Sequence, residues 1–146
     1  MNPCQTHVDQ FYTFSKANNM EMPGFKFLHD HGRIMEPRRD IIDNYGQRGL
    51  CYMNSFQRID CDMRYVEGFA MKRHLIPLSH AWLSLDNTAV DPTWSDGDYY
   101  FGVPFDNDFV MEFAYKTGQY GILESLYLLK MDKDELYEYL VSGIAK

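Results

Sequence analysis

Asp86-Asn87 lies between two segments of strand-forming residues and constrains the fold more than any other feature of the chain. Asp and Asn tolerate the left-handed backbone that a two-residue hairpin turn demands. With these two residues at the turn, Leu85 pairs with Thr88 and His80 falls opposite Thr93. Strand side chains alternate between faces, so Asp91, two positions before Thr93, shares the face of His80 at diagonal range. Trp82, Ser84 and Ala89 belong to that face, whereas Ala81, Leu83 and Val90 point to the other. The second face reads as core and the first as the border of a cleft. A three-residue loop without a bulge reverses the parity, so the register is an expectation tied to this turn.

The rest of the chain is read around that hairpin. Thr6 and Asp9 form a capping-type pair before Val8, Phe11, Tyr12 and Phe14, which predicts a helix over residues 7–17. Residues 18–45 are broken by Pro23-Gly24 and Pro37, with Phe25, Phe27 and Ile34 expected in short extended pieces. Gly46 and Gly49 lead into Leu50, Met53, Phe56 and Ile59, a helical spacing that puts Cys51 in the first turn of a helix. Residues 64–71 and 89–94 are rich in strand formers. Asp106 or Asn107 caps a helix that Gly118 stops, residues 122–129 read as a short helix, and Asp132 with Glu135 opens a last one.

Fourteen basic against 21 acidic residues give a formal charge of -7, which disfavours nucleic acid as a partner. Arg38-Arg39 is followed by Asp40 and reads as a solvated helix start rather than a phosphate site. No apolar run approaches the roughly 18 residues of a membrane span, and the polar first residues lack a signal pattern. A cytoplasmic protein with no membrane partner is expected. Cys4, Cys51 and Cys61 include no Cys-x-x-Cys pair, so reduced thiols are expected, with Cys4 and Cys61 as small buried hydrophobes. His29-Asp30-His31 has no further ligand at recognisable spacing and reads as an exposed turn, not a metal site. No cofactor is implied.

Chemistry concentrates on three residues. A thiol becomes nucleophilic when ionised, and a helix N-terminus or a protonated histidine favours the thiolate. Cys51 is placed for both. His80 can take the proton and return it to a leaving group, while Asp91 holds the imidazole in the needed tautomer. Trp82 and Trp94 read as walls that shield this group from water. Glu67 either faces the cleft or occupies a solvated edge.

Gly49-Leu50-Cys51-Tyr52, His80-Ala81-Trp82-Leu83 and Val90-Asp91-Pro92-Thr93-Trp94 resemble the three motifs of the transglutaminase-like superfamily, within the wider papain-like fold. Tyr65-Val66-Glu67-Gly68-Phe69-Ala70 and Tyr100-Phe101-Gly102-Val103-Pro104 are similar to segments of small bacterial and phage proteins of this type. The resemblance covers roughly residues 44–121. It implies an α+β fold with a Cys-bearing helix packed on an antiparallel sheet. It also implies a single domain over residues 1–146, with 1–43 as an N-terminal extension and 122–146 as closing helices.

The resemblance further implies catalytic Cys51, His80 and Asp91, with Gln47 as the side-chain oxyanion donor beside the Cys51 backbone N–H. Gln47 stands closer to the thiol than the papain pattern places its Gln, and Asn44 and Tyr52 are alternatives. The expected activity is acyl transfer or hydrolysis at a peptide or glutamine-type amide of a protein or peptide substrate, most readily as a peptidase or deamidase. The alternatives are a binding or inhibitor protein that keeps the fold without turnover, and an arylamine-type acetyltransferase.

Overall fold

The computed structural model describes residues 1–146 apart from Glu21, Leu126, Tyr127 and Leu129. Two helices come first, α1 (Pro3–Ala17) and α2 (Pro23–His31), followed by the short strands β1 (Arg33–Ile34) and β2 (Glu36–Pro37). Next come α3 (Cys51–Phe56), β3 (Arg64–Lys72), β4 (Leu78–Leu85), β5 (Thr88–Val90), β6 (Gly97–Phe105), α4 (Asn107–Thr117) and α5 (Lys133–Ser142). The architecture is α+β. No helix among the described residues is long and apolar enough to cross a membrane.

The strands form one sheet in the order β1-β6-β3-β4-β5-β2. Its two edges belong to one stretch of chain. Arg33–Ile34 pairs antiparallel with β6, Glu36–Pro37 pairs parallel with β5, and Met35 between them donates its N–H to the Tyr100 carbonyl at 3.1 Å. This strap brings the sheet close to closure.

The hairpin has the anticipated register, with Leu83, Ser84 and Leu85 opposite Val90, Ala89 and Thr88. Asp86 and Asn87 both take positive φ, 49° and 62°, as a two-residue turn of the I′ kind requires. The ladder stops at Val90, so His80 does not face Thr93 across it. The cause is local: Pro92 has no N–H to contribute, and the Asp91 carboxylate captures the N–H groups of Thr93 and Trp94 and turns the chain.

Both faces of the sheet are core, which corrects the expectation that one borders a cleft. Tyr65, Ala81, Phe101, Val103 and Phe105 lie under the helices with Cys4, Val8, Phe27, Leu28, Val110 and Phe113. Leu83 and Val90 are also fully buried. The opposite face gathers Met35, Val66, Ala70, Trp82, Ala89 and Tyr100. Room for the Trp82 indole comes from Gly102 on β6, where an added Cβ would lie 2.7 Å from the ring.

Several local expectations change. The first helix starts at Pro3 rather than at residue 7, because Asn2 and not Thr6 is the cap and accepts from the N–H groups of Cys4 and Gln5. Residues 25 and 27 are helical rather than extended: Pro23 sits at the start of α2, where its missing N–H costs nothing. Arg38-Arg39 starts no helix, and Arg39 instead binds the Gly97 carbonyl and Asp98. Strand β6 has no counterpart among the predicted elements. The helix expected over residues 122–129 falls partly outside the described residues, and Ile122 to Ser125 form a turn with Ser125 N–H on the Ile122 carbonyl at 3.2 Å. Asp106 and Asp132 sit at the starts of α4 and α5 without a side-chain capping bond, while Gly118 ends α4 at φ 70°. Residues 3–37 supply two helices and both edge strands, so this part of the chain is integral to the fold.

Candidate active site

The site is assembled where α3 meets β4. Cys51 is the first residue of α3, a helix of 6 residues with Leu50 at its cap and no side-chain capping bond. Gly49 precedes it at φ 85°, a backbone that favours glycine, and so turns the chain into the helix. Asn54, one turn on, ties this segment to the hairpin: its amide donates to the Thr93 hydroxyl at 2.9 Å and to the Gln47 carbonyl at 3.0 Å. The Gly46 N–H adds a bond to the Pro92 carbonyl at 2.8 Å. The loop before the thiol and the loop after Asp91 are thereby clamped together.

His80 and Asp91 leave the same face and meet, with His80 Nε2 2.8 Å from Asp91 Oδ2. The two are 2% and 6% exposed, which keeps water from competing for that bond. Asp91 accepts three further bonds. Tyr100 donates its hydroxyl to Oδ2 at 2.7 Å, and the N–H groups of Thr93 and Trp94 donate to Oδ1 at 2.9 and 3.0 Å. Trp94 stacks on the imidazole with ring centroids 3.8 Å apart. Trp82 lies parallel on the same face and donates its indole N–H to the Met35 sulfur at 3.4 Å. Both tryptophans are walls of the site.

The protonation of His80 follows from opposed influences. Burial alone lowers it. Hydrogen bonds to Asp91 and to Cys51, together with their negative charge, outweigh burial and raise it to about 9. With Nε2 committed to Asp91, Nδ1 is the nitrogen left for the Cys51 thiol. Cys, His and Asp, taken from a helix start, a strand and the turn after its partner strand, form one connected series.

The surrounding candidates separate. Gln47 is exposed and uses its carbonyl to hold Asn54, and Asn44 is exposed as well. Tyr52 is partly buried; burial, then the charges of Glu67, Glu124 and Cys51, raises its phenol far above the ordinary range, and its hydroxyl reaches Glu124 at 3.3 Å. Glu67 is on a central strand and 1% exposed, which overturns the solvated-edge reading. Its Oε2 accepts from the Tyr65 hydroxyl at 2.5 Å and from Ile122 N–H at 2.7 Å, and its Oε1 from Leu123 N–H at 2.9 Å. Burial raises it to about 7 against these hydrogen bonds.

Of the other cysteines, Cys4 is fully buried and pushed up to about 12 by burial, whereas Cys61 is exposed and is not a core residue. His29 and His31 belong to the last turn of α2 rather than to a loop. His29 Nδ1 lies 2.9 Å from Asp9, and His31 Nε2 lies 3.1 Å from the Tyr137 hydroxyl. Tyr100, Asn54 and the N–H groups of Thr93 and Trp94 were not among the sequence-derived site residues. The signal for the last two was present in Asp91-Pro92-Thr93, an Asx-turn pattern. Tyr100 and Asn54 carry no such signal. Comparisons with protein-family models, with curated proteins and with solved structures found no match.

Proposed function

We propose that this protein is a cysteine-nucleophile hydrolase or acyltransferase, of the transglutaminase-like, papain-like kind, acting on a peptide or glutamine-type amide. The observation that carries the reading is the buried His80, bonded through Nε2 to a four-times hydrogen-bonded Asp91 and partnered by Cys51. A structural histidine has no need of a carboxylate aligned by two backbone N–H groups and a tyrosine, together with a thiol on its remaining nitrogen.

In this reading the Cys51 sulfur attacks the amide carbon and a C–S bond forms. The carbonyl oxygen takes up negative charge, facing the Cys51 backbone N–H and a side-chain donor, for which Gln47 is the first candidate. His80 delivers its proton to the leaving nitrogen as the C–N bond breaks, giving a thioester and a free amine or ammonia. His80 then takes a proton from water, the hydroxide attacks the thioester, and the carboxylic acid leaves as the thiolate is restored. Asp91 and Trp94 keep the ring aligned throughout. An amine in place of water makes the same sequence a transfer.

The test is alkylation by iodoacetamide at pH 6, read by mass spectrometry. Selective reaction at Cys51 over the exposed Cys61 is expected, and it should be lost in His80→Gln. Equal, slow reaction of both thiols sinks the proposal. Incubating a lysate with wild type and with Cys51→Ala then separates deamidation, new chain termini and linked peptides.

A further inference from the structure

A cavity of about 340 Å³ lies between α2, the helix-covered face of β3 and β4, and the turn at residues 122–124. Its lining includes Tyr52, the residue after Cys51, and Ser79, which precedes His80 on β4 and so lies on the opposite face of the sheet from the imidazole. Gly68, which pairs with His80 across the ladder, borders it as well. Cys51 is close enough that its charge raises both Tyr52 and Tyr65.

The walls are apolar, built by Phe25, Leu28, Phe69 and Leu123. The charged groups are of one sign: Glu67 is buried in the lining and Glu124 is exposed at the rim, with Tyr52 bonded to Glu124 between them. No described lining residue is basic. Apolar walls that carry one buried and one rim carboxylate match a side chain with a methylene stem and a cationic head.

We propose that this cavity receives a long basic side chain, of the lysine or arginine kind, from the peptide that Cys51 attacks. The inference rests on the acyl-transfer reading and adds the substrate class to it. Among the described residues no cation pairs with Glu67, and its burial is what raises it to about 7, so a bound ammonium or guanidinium supplies the charge that the pocket lacks. Glu124 draws the same head group at the mouth. An acidic side chain meets two carboxylates and is excluded.

The experiment uses dipeptidyl chloromethyl ketones, in which the Cys51 sulfur displaces chloride from the methylene carbon. Lysine, norleucine or glutamate is placed in turn at each of the two residues nearest the ketone. Labelling of the full chain is followed by mass spectrometry. The lysine probe should react at least about tenfold faster than the norleucine probe at one of the two positions, as a charge-assisted contact implies. Glu124→Gln, an exposed substitution that leaves the buried Glu67 acceptor in place, should shrink that ratio several-fold. Equal rates, or faster reaction with norleucine or glutamate at both positions, overturn the assignment.

Failure of the chemistry is read separately. If iodoacetamide shows no preference for Cys51, the acyl-transfer reading falls. The pocket is then judged by NMR on Cys51→Ala with Nα-acetyl-lysine methylamide and its norleucine analogue. Shifts at Phe69 and Leu123 with the lysine ligand alone uphold the pocket, and equal shifts with both ligands overturn it.

Discussion

Two buried carboxylates, Glu67 on the helix-covered face of β3 and Asp91 beside His80 on the other face, are solvated by protein in nearly the same way. Asp91 accepts from one tyrosine hydroxyl and two backbone N–H groups, and so does Glu67. They differ in one partner. Asp91 has an imidazole at 2.8 Å that is held near 9, whereas Glu67 has no cation among the described residues and is itself raised to about 7. Three good donors therefore do not offset full burial of the Glu67 carboxylate. One site is a fixed ion pair suited to orienting a base. The other is a carboxyl whose charge is set by pH and by what enters the neighbouring cavity.

The comparison is most severely tested at Asp91. Asp91→Asn keeps the oxygen that holds Thr93 and Trp94 but turns an amide toward His80 Nε2, which forces the proton onto Nδ1, the nitrogen that faces Cys51. The fold should persist while turnover, or the alkylation rate standing in for it, falls by up to about 10⁴-fold. Activity within about threefold of wild type would falsify the orienting role. On the opposite face of β4, Leu83→Ala should cost about 2–5 kcal/mol in urea unfolding, since Leu83 is fully buried.

The pH dependence of stability separates the two sites by window. Both folded-state values are raised above the unfolded ones, so each contribution is complete below the unfolded value and disappears as pH climbs through the folded one. For Glu67 that loss runs from about 4.5 to about 7, and for His80 from 6.5 to about 9. Denaturation midpoints should therefore fall across both intervals, by about 1–3 kcal/mol in each. Glu67→Gln should flatten only the lower interval and His80→Gln only the upper.

Smaller effects sharpen the parallel. Tyr65→Phe and Tyr100→Phe each remove one donor from a carboxylate and should cost about 0.5–1.5 kcal/mol at neutral pH. The lower pH window should move upward in Tyr65→Phe and stay in place in Tyr100→Phe. Ser84→Ala, on the His80 face but away from both carboxylates, should change stability by less than about 0.5 kcal/mol. A larger change would mean that this face is more tightly coupled to the site than its hydrogen bonds imply.

What was legible in the sequence divides along the same line. The His80 and Asp91 pairing could be anticipated because the hairpin is local: two turn residues of the right kind fix its parity. Helix α3 was legible in place but not in length, since the apolar spacing continues through Ile59 while the helix stops at Phe56. The Glu67 site was not legible, because two of its three donors come from Ile122 and Leu123, 55 and 56 residues away. Strand β6 contains Pro104, which argues against a central strand, yet that residue lies beyond the short β1 ladder and faces only Val66 in pairing. The α2 helix was hidden because Pro23 was read as a break when it is a start.

The strap at residues 33–37 has a consequence for how these molecules behave at high concentration. Each outer strand of the sheet is two residues long, and the two are consecutive in the chain with only Met35 between them. A neighbouring molecule seeking to add a strand finds no long row of free N–H and C=O groups on either side, and Pro37 withholds one donor. The long strands β3, β4 and β6 are held between paired neighbours, so their apolar sequences offer little template for fibre-like growth while the strap stays in place.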